Sequence, residues 1–119
     1  MIDQIRIGRD DRPDWTVLTV TGQVDVATAP ELRQALTEAQ YGPRSRVALD
    51  LDGVEFLDSF GLGVIVGALK RARLHAGEVA IVCSRSRLLH LFEVTRLDRI
   101  VPVVATLDDL EPTAVENPR

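Results

Sequence analysis

The sequence predicts an α/β domain built on a mixed central sheet, and three observations carry that prediction. Apolar stretches of strand character alternate with amphipathic helical stretches in the order β-β-α-β-α-β-α-β-α. That order contains strand–helix–strand units, so part of the sheet is parallel, with right-handed crossovers. The first two strands are separated only by a polar turn, so an antiparallel hairpin opens the sheet and helices flank it.

Ile5 and Ile7 alternate with polar neighbours across 3–9, an edge-strand pattern, and residues 10–14 with Pro13 form a polar turn. Trp15-Thr16-Val17-Leu18-Thr19-Val20 is rich in β-branched residues and pairs with the first strand; Gly22 is expected to end it. Thr28-Ala29-Pro30-Glu31 has the T-x-x-E form of a capping box, with proline in the first turn. Leu32, Ala35, Leu36 and Ala39 recur at helical spacing, and Gly42-Pro43 stops that helix. Val47-Ala48-Leu49-Asp50-Leu51 is a nearly all-apolar strand, as expected where layers cover both faces.

A loop with Gly53 is expected to lead to a second helix, whose buried stripe is Leu62, Ile65, Val66, Leu69 and Ala72 and which Gly77 ends. Val79 to Cys83 is the next buried strand, and a third helix spans Ser86 to Val94 with Leu88, Leu91 and Phe92 on one face. Ile100 to Val104 reads as a last strand, placed at an edge by Pro102. Thr106 to Asp109 reads as a short capped helix cut off by Pro112. The domain is expected to occupy 1–111, followed by a polar, frayed tail over 112–119.

Composition narrows the function. A chain of 119 residues, 45% hydrophobic and 27% charged, has room for one core. A net charge of −4 argues against a dedicated nucleic-acid binder, which needs cationic surface to displace counterions. No apolar run approaches the roughly 20 residues that span a bilayer, and no signal-peptide core is present, so a soluble cytoplasmic protein is expected. The single Cys83 excludes an internal disulfide and a multi-cysteine zinc site. His75 and His90 stand alone, and neither a Walker A pattern nor H-E-x-x-H occurs. No catalytic residue, metal or cofactor is expected.

The informative segment is Phe56-Leu57-Asp58-Ser59-Phe60-Gly61-Leu62-Gly63, a serine at a helix entrance followed by two glycines in the first turn. Glycine there costs up to about 1 kcal/mol against alanine, so its presence needs a reason. Either Asp58 or Ser59 caps the helix and the glycines permit close packing, or the hydroxyl and free N–H groups are left open to a partner or an anion. A dinucleotide fingerprint fails on the spacing of Gly61, Gly63 and Gly67, and a nucleophile elbow fails because Leu57 replaces glycine. A receiver domain would phosphorylate Asp50 but needs an acidic pair where only Asp25 stands.

Thr21-Gly22-Gln23-Val24-Asp25-Val26-Ala27-Thr28-Ala29-Pro30-Glu31-Leu32 and the stretch from Leu49 to Gly63 resemble the two signature segments of the STAS family. The likeness is greater to its bacterial anti-sigma-factor antagonists, and Leu91 to Ile100 is similar to the family's third helix and its exit. The resemblance implies a single STAS-like domain that works by partner switching. Such an antagonist binds an anti-sigma factor that is also an ATP-dependent serine kinase, freeing a sigma factor, until the kinase phosphorylates the serine after the signature aspartate. A serine phosphatase reverses the modification. Here the serine is Ser59, with Asp25 and Asp58 as the acidic residues beside it. A phosphate at a helix start is expected to be tolerated by the free protein, because orphan N–H groups and the helix dipole face it.

Phe60, Gly63, Val64 and Gly67 fall away from the buried stripe by helical spacing, and with Thr28 and Gly61 they make up the expected partner-binding set. Phe60 stands where relatives often carry a second small hydroxyl residue, and Arg96 where they commonly have glycine for a left-handed turn. The competing reading is an unphosphorylated STAS domain that senses a small molecule or nucleotide, or serves a transport system.

Overall fold

The expected hairpin forms from β1 (Ile5–Asp11) and β2 (Thr16–Val24), paired from Ile5 opposite Gly22 to Asp11 opposite Thr16. A computed structural model describes residues 4–110 of the protein. β3 (Arg46–Leu57), β4 (Glu78–Val82) and β5 (Val103–Val104) then join in parallel, giving the order β1-β2-β3-β4-β5. Between them lie α1 (Ala29–Ala39), α2 (Ser59–Leu74) and α3 (Ser86–Val94).

Each parallel strand is added on the same side of the previous one, so crossovers of a single hand put all three helices on one face. Leu18, Val20, Leu49, Leu51 and Ile81 of the sheet meet Leu32, Leu36, Ile65, Leu88 and Phe92 of the helices there, all 3% exposed or less. Each large side chain so buried contributes roughly 1.5–3 kcal/mol. The opposite face carries a smaller cluster of Trp15, Val17, Ala48, Ala80 and Val82, against which Val104, Leu107 and Leu110 pack. Arg46 stacks over Trp15 at 4.3 Å from the ring centroid. The apolar run from Val47 to Leu51 is thus explained: Val47, Leu49 and Leu51 face the helices while Ala48 faces the second cluster.

Three expectations need correction. Gly22 does not end β2; it sits at a register shift with φ of 103°, where an added Cβ would strike the Gln4 carbonyl. Gly53 is not in a loop, because β3 runs unbroken to Leu57, and a Cβ at Gly53 would strike the Thr21 methyl. Both glycines were read as breaks, yet they serve the other use of glycine in a strand, a bulge or a close approach. The last strand shrinks to two residues, since Leu97–Arg99 forms a 3-10 turn and Ile100 is 49% exposed. It still sits at the sheet edge, and the Pro102 carbonyl accepts from Ile81 N–H at 2.8 Å. The short capped turn appears as Leu107–Asp109, with Thr106 and Asp109 bonding reciprocally. Pro112 and the tail 112–119 lie outside the described residues.

The turns that end α2 and α3 use left-handed Ala76 (φ 58°) and Arg96 (φ 65°). Arg96 therefore keeps the turn that glycine would favour, at a cost of roughly 1–2 kcal/mol for a residue with a side chain. Arg96→Gly is expected to raise stability by about 0.5–1 kcal/mol, the part of that strain not offset by the freer unfolded glycine. Gly22→Ala is expected to lower stability by about 1–3 kcal/mol. Urea unfolding at constant m checks both, and opposite signs would contradict the assigned backbone geometry.

Candidate functional site

Residues Val24 and Leu57 lie opposite each other at the parallel ends of β2 and β3, and Asp58 N–H donates to the Val24 carbonyl at 3.1 Å. The loop 25–28 after β2 and the junction at Asp58 after β3 therefore leave the sheet side by side at its carboxyl edge. Open α/β sheets place their sites there.

In the first loop the Asp25 carboxylate accepts from the Ala27 and Thr28 backbone N–H groups, at 3.0 and 3.1 Å. The Thr28 hydroxyl donates to the Gln23 carbonyl at 2.8 Å and accepts from Asp25 N–H at 2.9 Å. Thr28 is thus the N-cap of α1 by position without capping it through its side chain. The expected capping box does not form, because the hydroxyl is drawn back onto the loop before the helix. Thr28 is only 7% exposed, so its role is to fix this loop from within.

In the second loop Asp58 is the N-cap of α2, its carboxylate accepting from Phe60 N–H at 2.9 Å and Gly61 N–H at 3.1 Å. Such a cap stabilises a helix by about 1 kcal/mol. Ser59 opens the helix, exposed, and its hydroxyl has no hydrogen-bond partner among the described residues. Of the two readings of this segment, capping falls to Asp58 and openness to Ser59. The expectation of free N–H groups facing Ser59 is met only in part, because Asp58 already occupies two of them.

The glycines of α2 divide. A Cβ at Gly61 would run into the Leu57 methyl and lie 2.7 Å from Val24, so Gly61 lets the helix seat on the strand ends. Gly63 has nothing within 4 Å, and Gly67 meets only an Arg71 guanidinium nitrogen at 3.7 Å. The fold therefore requires Gly61 and leaves Gly63 and Gly67 open. Val64 was expected outside but is 4% exposed, in the core with Ile65 and Ala68. Phe60 is 55% exposed, as its helical position implied. Of the expected partner-binding set, Phe60 and Gly63 are exposed and Gly67 is half-buried, while Thr28, Gly61 and Val64 are buried.

Sequence reasoning passed over several residues. Val26 is 61% and Phe56 49% exposed, on the loop after β2 and near the exit of β3, the two strand ends that meet beside the start of α2. Asp52 accepts from both the N–H and the hydroxyl of Ser84, while its carbonyl accepts from Arg85, which ties the entrance of α3 to β3. Gln40 is buried and bridges the helices, donating to the Ala68 carbonyl at 2.8 Å and accepting from Arg71 at 3.0 Å. Burial pushes the Cys83 thiol up, away from nucleophilic character. Among the described residues no cluster of three metal-ligating side chains occurs, and no helix is long and apolar enough to cross a membrane.

Gly61→Ala is expected to cost about 1–3 kcal/mol through overpacking, whereas Gly63→Ala is expected to be neutral or to stabilise by up to about 1 kcal/mol. Denaturant melts of the two variants decide; equal losses would mean that the exposed glycine also serves the fold.

The chain matches the STAS domain family model over residues 6–110. It is 38% identical over 90 residues to the anti-sigma-B factor antagonist of Listeria monocytogenes, covering 76% of this chain and 79% of that protein. The protein of the same description from Staphylococcus aureus is 36% identical over 84 residues, covering 71% and 78%. The crystal structure of an anti-sigma factor antagonist from Mycobacterium paratuberculosis aligns with a TM-score of 0.78 at 30% identity, over 88% of this chain and 89% of that one. The sheet order, the helices on one face and these likenesses agree: the chain belongs to the STAS domain family.

Proposed function

We propose that this protein is an anti-sigma-factor antagonist whose release from its partner is controlled by phosphorylation of Ser59. It binds an anti-sigma factor that carries a histidine-kinase-like ATPase and serine kinase domain, and thereby frees a sigma factor. ATP and its metal belong to the partner, so this chain works by binding and needs no catalytic residue. A serine phosphatase restores the unmodified state, and the exchange takes place in the cytoplasm.

The observation that carries the reading is the placement of Ser59: exposed, at the first position of α2, between exposed Phe56 and Phe60 and behind a carboxylate already spent on the helix cap. Phosphate adds roughly −1.5 to −2 charges there. On the free protein the cost is small, because helix-terminal charge effects on an exposed surface run to about 0.3–1 kcal/mol. Inside a closed interface, like charge and lost hydration cost several kcal/mol, and each 1.4 kcal/mol is about tenfold in affinity. Asp25 and Asp58 at the neighbouring strand ends sharpen that penalty.

Incubation with the kinase partner and ATP is expected to add one phosphate to the wild type and none to Ser59→Ala, read by intact mass. Phosphate on the alanine variant would move the site elsewhere. Ser59→Asp is expected to weaken the complex only partly, since one carboxylate carries less charge and fewer acceptor oxygens than phosphate. Phe60→Ala is expected to weaken it on the order of tenfold or more while leaving the thermal midpoint nearly unchanged, as suits an exposed anchor. Titration calorimetry paired with thermal melts tests both. A large loss of stability in Phe60→Ala would place that ring in the core, and unchanged binding after phosphorylation would favour the ligand-sensing alternative.

A further inference from the structure

β3 is much longer than the strand beside it. It pairs with β4 only from Arg46 to Asp50, yet continues along β2 as far as Leu57. Beyond the Asp52 carbonyl, which Arg85 occupies, no strand among the described residues pairs with β3 on the β4 side. An interior strand thus becomes an edge strand for its last turn of pleat. Such an edge presents backbone N–H and C=O groups in a row that can template another strand.

A groove runs between this edge and α3. Its first part, of about 580 Å³, is lined by Val54 and Glu55 of the strand and by Arg85, Ser86 and Arg87 at the start of α3. Its second part, of about 420 Å³, shares Glu55, Arg87 and Leu88 with the first. There the floor is Leu57, Leu88 and Leu91, between Phe56 at 49% and Val94 at 63% exposure. In the first part Arg85 and Arg87 stand against the single carboxylate of Glu55, while the second is mostly apolar, with Glu55, Arg87 and His90 also lining it. In the segment 84–99, four arginines stand against Glu93 and Asp98, in a chain whose net charge is −4.

We propose that this groove receives an extended segment of a protein partner, which adds as a short strand to the free edge of β3. Its carboxylate side chains lie against Arg85 and Arg87, and its apolar side chains cover Leu57, Leu88 and Leu91. Charge selects an acidic segment, and the unpaired backbone selects an extended one over a helix, which would leave those groups without partners. The side chains that grip the segment, Arg85, Arg87, Leu88 and Leu91, belong to α3 and its N-cap and not to the first turn of α2, so the groove takes its occupant whether or not Ser59 is modified.

The test uses the full 119-residue chain, labelled for amide NMR, and short synthetic peptides as probes. Ac-Glu-Glu-Val-Leu-Val-NH2 or its reverse order, at millimolar concentration, is expected to shift the amides of 53–57 and of α3. Replacing its glutamates by lysine, or methylating alternate backbone nitrogens on the edge-facing side, is expected to abolish those shifts. Arg87→Glu is expected to weaken binding on the order of tenfold, and Val94→Asp to abolish it. Both side chains are exposed, so circular dichroism should show an intact fold. Ser59→Asp should leave peptide binding unchanged, which separates this surface from the proposed switch. Shifts that spare 53–57 for both peptides would overturn the proposal, and so would equal binding of the N-methylated peptide, which would mean side-chain docking without strand addition.

Discussion

Two aspartates at the ends of adjacent parallel strands hold the functional end of this protein in shape. Parallel strands deliver their following loops to one edge of the sheet, where several backbone N–H groups would otherwise go unpaired. Asp25 takes two of them in the loop after β2, and Asp58 takes two at the start of α2. With Thr28 turned back onto Gln23, both loops are fixed from within before any partner arrives. Ser59 is presented on a rigid support, and a preorganised surface loses little entropy on binding.

That rigidity also decides how a charge added at Ser59 would act. A domain of this size is stable by about 5–15 kcal/mol, well above the cost of one more exposed charge at a helix terminus. A partner surface fitted closely to the unmodified serine has no such reserve, because like charge within it costs several kcal/mol. On the proposed function, the complex would give way long before the fold does. The same logic assigns the glycines: Gly61 serves the seating of α2, while Gly63 and Gly67 leave the outer face of the helix low and open beside Phe60.

Much of this was legible in the sequence, and the failures have local causes. The hairpin, the helices and α3 from Ser86 to Val94 followed from hydrophobic period and stop signals. Gly22 and Gly53 misled because glycine marks both a strand's end and a bulge within it, and only the neighbouring strand shows which. Thr28 misled because the T-x-x-E pattern cannot reveal that Asp25, three residues earlier, would engage the same backbone. Val64 misled because helical spacing fixes a face but not what covers it, and α2 is buried across a wider arc than its apolar stripe suggested. Gln40 and Asp52 gave no signal, since their partners Ala68 and Ser84 lie about thirty residues away.

Amide hydrogen exchange on the unmodified and Ser59-phosphorylated protein tests most directly whether the proposed switch changes a surface or the fold. Protection at Leu49, Ile65 and Ile81, buried in the central core, should be the same in both forms, with differences confined to the β3–α2 junction and the first turn of α2. A general loss of protection through β3, β4 and α2 on phosphorylation would contradict the account, because the modification would then be unfolding the domain instead of altering the face it shows to its partner.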